Sequence, residues 1–194
     1  MDPCVRSEMG NTMLHQLAVS DDKHYAHKTD IIINFFRNKT CEGTNDTNVR
    51  DFIEAKNELG KTALHLACES ENLKVCVVLL ENDASLTAKD KDGNTPLHLL
   101  ALCVNPWPDG EDIEQCTECM ADTRSRYTHK CVYKIAEKSQ HGEYDFLNFA
   151  GQTPLHVAAK YGHTVMVNIL LKHEAEVFSL DNNFRTALHL GVQN

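Results

Sequence analysis

One six-residue phrase occurs five times in this chain. "GNTMLH" begins at Gly10, "GKTALH" at Gly60, "GNTPLH" at Gly93 and "GQTPLH" at Gly151; "FRTALH" begins at Phe184, with phenylalanine where the others have glycine. A recurring phrase commits a chain to stacked, similar units, each leaving an apolar face for its neighbour to cover. The histidines closing the phrase, His15, His65, His98, His156 and His189, are 50, 33, 58 and 33 residues apart. Two intervals share a 33-residue period, and the other two exceed it by 17 and 25 residues. Two copies therefore carry insertions.

The copy from Gly151 shows what one unit is. Thr153 and Pro154 open a helix, since threonine suits a helix start and proline is tolerated in the first turn. Leu155, Ala158 and Ala159 are small and apolar, which lets neighbouring helices approach. Tyr161-Gly162-His163 breaks that helix, and "TVMVNILLKH" is a second one with Val167, Leu170 and Leu171 at helical spacing. "DNN" then makes a turn. The copy from Gly60 follows the same plan, with Glu71 where the inter-helix glycine would be.

This 33-residue unit, with its Gly-x-Thr-x-Leu-His start, resembles the ankyrin repeat. The resemblance implies an all-α solenoid of about four and a half helix-turn-helix repeats, forming a single domain over 1–194 within a longer protein. Repeats start near Gly10, Gly60, Gly93, Gly151 and Phe184, with insertions at about 39–50 and 104–127. In the first repeat Ile32, Ile33, Phe35 and Phe36 supply the apolar face of the second helix, and the polar stretch after it reads as an exposed loop. In the third repeat, helix one ends near Cys103 and helix two resumes at about "THKCVYKIAEKS", so the insertion separates the two helices of one repeat. The resemblance also implies that the five frame histidines are buried and bond the backbone of neighbouring turns.

Catalysis finds no support. No phosphate-binding glycine loop, nucleophile elbow or metalloprotease motif is present. Histidines spaced one repeat apart cannot converge on one reacting atom. One constellation has metal-ligand spacing: Cys116, Cys119, His129 and Cys131 form C-x2-C-x9-H-x-C, which could give zinc four N/S ligands. The alternative is that these are free thiols with Cys131 packed in a helix, and no other cofactor is expected.

The remaining expectation is recognition of a protein. Ankyrin stacks present a concave face built from finger-like turns and the exposed side of each first helix. Here the turns contribute Lys56, Asn57, Glu58, Lys89, Asp90, Lys91, Asp92, Asn148, Phe149, Asp181, Asn182 and Asn183. The first helices contribute Glu69, Ser70, Leu102, Lys160 and Tyr161. Trp107, between two prolines in the third-repeat insertion, is either a binding anchor or folds back on the stack. The formal charge of −9 disfavours direct contact with nucleic acid and suits a partner with a basic segment. No apolar run reaches a membrane span, and "MDPCVRSEMG" lacks a signal-peptide core, so the expected location is cytoplasmic or nuclear. Two phrases, "FLNFAGQTPLH" from Phe146 and "RTALHLGVQN" from Arg185, together with a lengthened first repeat and an irregular third, resemble IκB-type inhibitors of Rel/NF-κB factors. That resemblance implies a Rel-family partner bearing a basic nuclear-localisation segment. The Asp-Ser-Gly degron of those inhibitors is not in this sequence, which would fit an undegradable viral mimic or a trimmed form.

Overall fold

The structure is a computed structural model that describes residues 6–20, 24–40, 47–103, 131, 134–135 and 143–192. Among the described residues the regular structure is helical: α1 (Met13–Val19), α2 (Tyr25–Thr40), α3 (Thr47–Ile53), α4 (Ala63–Glu69), α5 (Leu73–Glu81), α6 (Pro96–Cys103), a 3-10 turn (Glu143–Asp145), α7 (Pro154–Lys160), α8 (Thr164–Lys172) and α9 (Ala187–Gly191). The chain is an all-α ankyrin solenoid.

Each first helix starts at the frame threonine. Thr12, Thr62, Thr153 and Thr186 hold extended backbone at the N-cap, and the histidine three residues on returns its ring to the cap's own N–H. This is a capping box with imidazole in place of the usual glutamate. The first helices then stack in one row, α1 on α4, α4 on α6, α6 on α7 and α7 on α9. The second helices back the row, with α2 against α1 and α5, α5 against α4, and α8 against α7. Leu14, Leu64, Leu100 and Leu155 from the front row, with Val75, Leu79, Met166 and Leu170 from the back, form the buried seam.

Two expectations are corrected here. The insertion at 39–50 is not simply an exposed loop: α3 occupies Thr47–Ile53 and buries Val49, Phe52 and Ile53. Those three apolar letters sit at helical spacing, and Phe52 stacks on Phe36 with ring centroids 4.2 Å apart. Phe35, expected on the apolar face of α2, points outward and is exposed, because Ile33 and Phe36 already fill that face. In the third repeat α6 is described over Pro96–Cys103, and residues 131 and 134–135 are helical with Cys131 and Ile135 buried. Trp107, Cys116, Cys119 and His129 lie outside the described residues.

The turn between the two helices of a repeat needs positive φ. Gly162 meets this with φ +70, and Glu71, in the same place one repeat pair earlier, takes φ 53. An L-residue held there carries about 1–2 kcal/mol of backbone strain.

Candidate functional site

The turns between repeats form the surface on which recognition was expected, and their geometry separates scaffold atoms from free side chains. Each finger is a short hairpin. Its closing bonds run from Asn57 N–H to the Lys61 carbonyl (2.9 Å), Asp90 to Asn94 (2.9 Å), Asn148 to Gln152 (3.0 Å) and Asp181 to Arg185 (2.9 Å). The same four carbonyls each accept a second bond from the preceding repeat. His15 Nε2 reaches Lys61 O at 2.9 Å, His65 reaches Asn94 O at 3.1 Å, His98 reaches Gln152 O at 2.9 Å and His156 reaches Arg185 O at 3.0 Å. Both lone pairs of each carbonyl are thereby used.

The partners fix the tautomer. A backbone N–H can only donate, so Nδ1 of His15, His65, His98 and His156 accepts from the cap threonine's N–H. A carbonyl can only accept, so Nε2 carries the proton and donates. The ring is neutral and has no room for a second proton. Burial drives His65 and His98 down to about 4, against the raising pull of the Asn94 and Gln152 carbonyls respectively. Burial also lowers His15, opposed by the Lys61 carbonyl. These are structural groups with no exposed reacting nitrogen. His189 departs from the expectation of burial: it caps α9 through Thr186, yet it is exposed, because no following finger is present among the described residues.

Successive fingers are joined tip to tip. Glu58 N–H donates to Met9 O (3.1 Å), Lys91 to Leu59 O (3.0 Å), Phe149 to Asp92 O (2.9 Å) and Asn182 to Ala150 O (3.1 Å). The Asx side chains brace each hairpin from inside. Asn57 Oδ1 accepts from Leu59 and Lys61 N–H, Asp90 Oδ1 from Asp92 and Asn94, Asn148 Oδ1 from Ala150 and Gln152, and Asp181 Oδ1 from Asn183 and Arg185. This overturns part of the expected contact surface. Asp90 is 6% exposed and Asp181 4%, so neither carboxylate is offered to a partner. Burial works to raise the Asp181 carboxyl, but the Arg185 guanidinium and the hairpin N–H groups hold it below the usual carboxylate range.

What remains exposed varies from finger to finger. Glu58, Lys91, Phe149 and Asn182 occupy the same tip position, and all are exposed. Beside them runs a second row that the sequence reading had not assembled: Arg6, Lys56, Lys89, Leu147 and Leu180. Its three cations each reach the next finger, Arg6 Nη1 to Lys56 O (2.9 Å), Lys56 Nζ to Lys89 O (2.7 Å) and Lys89 Nζ to Leu147 O (2.8 Å). The row then turns apolar, with Leu147 and Leu180 about half exposed. The sequence signal was present at the same offset before each frame, but spread over many residues. Asp92 and Asn183 are exposed at the second tip position.

The first-helix residues divide similarly. Glu69 and Ser70 are exposed, with Glu69 held by Lys61 at 2.7 Å. Lys160 lies over the ring of exposed Tyr161, 5.2 Å from its centroid. Leu102 is half-buried, and its carbonyl accepts from His163 Nε2 at 2.8 Å. Cys131 is buried beside Cys76, which also lies 3.9 Å from Cys68. Hydrogen bonding to Cys131 and Cys68, together with burial, raises the Cys76 thiol, and all three side chains are buried as small core hydrophobes. Cys131 is buried in the core, and the other three residues of the expected zinc set, Cys116, Cys119 and His129, lie outside the described residues. Among the described residues no cluster of three or more His, Cys, Asp or Glu could hold a metal ion, and no helix is long and apolar enough to cross a membrane.

A stack of helix pairs that fixes its hairpins by buried bonds and varies their tips defines a protein–protein interaction module. A family model for ankyrin repeats matches three times, over residues 2–90, 40–106 and 121–194, and the chain belongs to that family. Among curated relatives, it is 25% identical over 155 residues to the E3 ubiquitin-protein ligase KEG of Arabidopsis thaliana, covering 79% of this chain and 8% of that protein. It is 26% identical over 122 residues to the NF-kappa-B inhibitor cactus of Drosophila melanogaster, covering 60% of this chain and 24% of cactus. It is 28% identical over 145 residues to the putative ankyrin repeat protein FPV230 of fowlpox virus, covering 66% of this chain and 73% of that protein. The chain thus spans a quarter or less of the first two relatives and most of the third.

Proposed function

We propose that this chain is a non-catalytic recognition module of the cytoplasm or nucleus, an adaptor that binds a protein partner across its finger row and the adjoining ends of the first helices. One observation carries this reading. The histidine bridges and tip-to-tip backbone bonds fall on the same atoms in each finger, while the exposed tip letters change chemistry from Glu58 to Lys91 to Phe149 to Asn182. A fixed frame with a changing surface is what specificity requires.

A second reading is an IκB-like inhibitor that sequesters a Rel/NF-κB-type factor through its basic segment. The likeness to cactus, the Phe146 and Arg185 phrases and the charge of −9 support it. Titrating the chain with a Rel-family dimer by calorimetry separates the two. Saturable 1:1 binding that weakens with salt favours the inhibitor, and no heat change favours a different partner. A zinc-stabilised third-repeat insertion is retained as a narrower proposal on Cys116, Cys119, His129 and Cys131. Elemental analysis of the purified chain, with and without Cys116→Ser and Cys119→Ser, tests it: stoichiometric zinc lost on substitution supports it, and zinc-free protein rejects it.

A further inference from the structure

The four frame glycines share a second property besides positive φ. Each lies flat against the backbone of the next finger. A Cβ placed on Gly10 would stand 3.2 Å from Glu58 N, on Gly60 3.0 Å from Lys91 N, on Gly93 2.9 Å from Phe149 N and on Gly151 2.8 Å from Asn182 N. Those nitrogens are the donors of the tip-to-tip ladder. The absence of a side chain at this position is what lets the next finger dock.

Phe184 occupies the same position in the fifth finger. It adopts the same left-handed backbone, φ 58, where a bulky side chain is strained. No packing offsets that strain, because the residue is 82% exposed. Its Cβ occupies the space that each earlier glycine leaves for the following finger's tip.

From this geometry we infer that Phe184 terminates the finger ladder. No further finger docks in register beyond Asn183, and whatever packs against α9 does so through helices or loops alone. The ladder is a row of backbone donors and acceptors that invites extension, as a sheet edge does, and a side chain on the approach path stops it. This reading is independent of which partner the array binds. It restricts what can cover the exposed Leu171, Leu188 and Val192 at this end: a regular ankyrin repeat with its hairpin does not fit.

The test extends the array. A copy of residues 162–192 placed directly after Asn194 continues the 33-residue register and supplies a second helix, a finger and a new frame. It is appended to the chain with Phe184, with Phe184→Ala and with Phe184→Gly. Hydrogen exchange is followed at the copied Asn182 amide, which would donate to the Asn183 carbonyl, together with the urea m-value. The Gly background is expected to slow that exchange by about tenfold or more and to raise the m-value over the unextended chain. Phe and Ala backgrounds should leave the amide unprotected, since either side chain supplies the obstructing Cβ. Equal protection in the Phe184 background overturns the inference. Protection in none of the three overturns it too, because Phe184 would then not be what closes the ladder. Phe184→Gly without the copy serves as the folding control.

Discussion

The histidine bridges make the array acid-sensitive in a pH range where carboxylates contribute little. His65 and His98 titrate near 6.5 when unfolded and at about 4 in the stack, because burial excludes the charged ring and Nδ1 is already occupied as an acceptor. The folded-state value is depressed, so below pH 6.5 the unfolded chain takes up protons that the folded chain refuses. Stability is therefore complete above that pH and declines as pH falls toward 4. From pH 7 to 5.5 each of these two groups costs about 1.3 kcal/mol, about 2.5 kcal/mol together. His15, also lowered, acts in the same direction. With a urea m-value of about 2 kcal/mol/M, the midpoint should fall by about 1 M between those two pH values. Substituting His65 and His98 by glutamine, which cannot ionise, should flatten the slope while lowering stability at pH 7. A midpoint unchanged from pH 7 to 5.5, or a slope undiminished by the double substitution, would refute the assignment of neutral bridging imidazoles.

Four further substitutions follow from the same geometry. Glu71→Gly should raise stability by about 0.5–1 kcal/mol, since relief of left-handed strain exceeds the added chain entropy, as read by urea titration. Gly162→Ala and Gly60→Ala should differ: a Cβ at 162 meets nothing within 4 Å and costs about 1 kcal/mol, whereas at 60 it presses on Lys91 N and should cost more, with faster exchange at the Lys91 amide. Phe36→Ala should cost about 3–5 kcal/mol and expose α3 to proteolysis, because it removes the ring on which Phe52 stacks; an unchanged digestion pattern would show α3 to be peripheral.

Much of the fold was legible because the frame carries its own physics. Threonine before a helix, histidine three residues on and a 33-residue period point to one stackable unit, and α4, α6 and α7 begin where the frame places them. The helix α3 was masked by polar letters around Val49, Phe52 and Ile53, whose spacing is short and easily taken for chance. The site was less legible. Asp90 and Asp181 read as surface residues, because aspartate in a turn usually is, yet the hairpin turns their carboxylates inward onto its own N–H groups. The Arg6–Lys56–Lys89 row depends on side chains reaching across stacked fingers, and neighbours in that row are far apart in the chain. Phe184 was visible as a missing glycine, but its consequence depends on how closely the other four glycines approach the next finger.

The central claim is that exposed finger tips on a fixed frame select a protein partner. Affinity capture with the intact chain, compared with a variant carrying alanine at Glu58, Lys91, Phe149 and Asn182, tests it most directly. A parallel bait lacking 106–126 isolates the third-repeat insertion. All four tip residues are exposed, so the variant should keep its urea midpoint. The account predicts that proteins retained by the intact chain and identified by mass spectrometry are lost with the tip variant. Retention of the same proteins by an equally stable tip variant, and their loss only when 106–126 is removed, would contradict the finger row as the recognition surface.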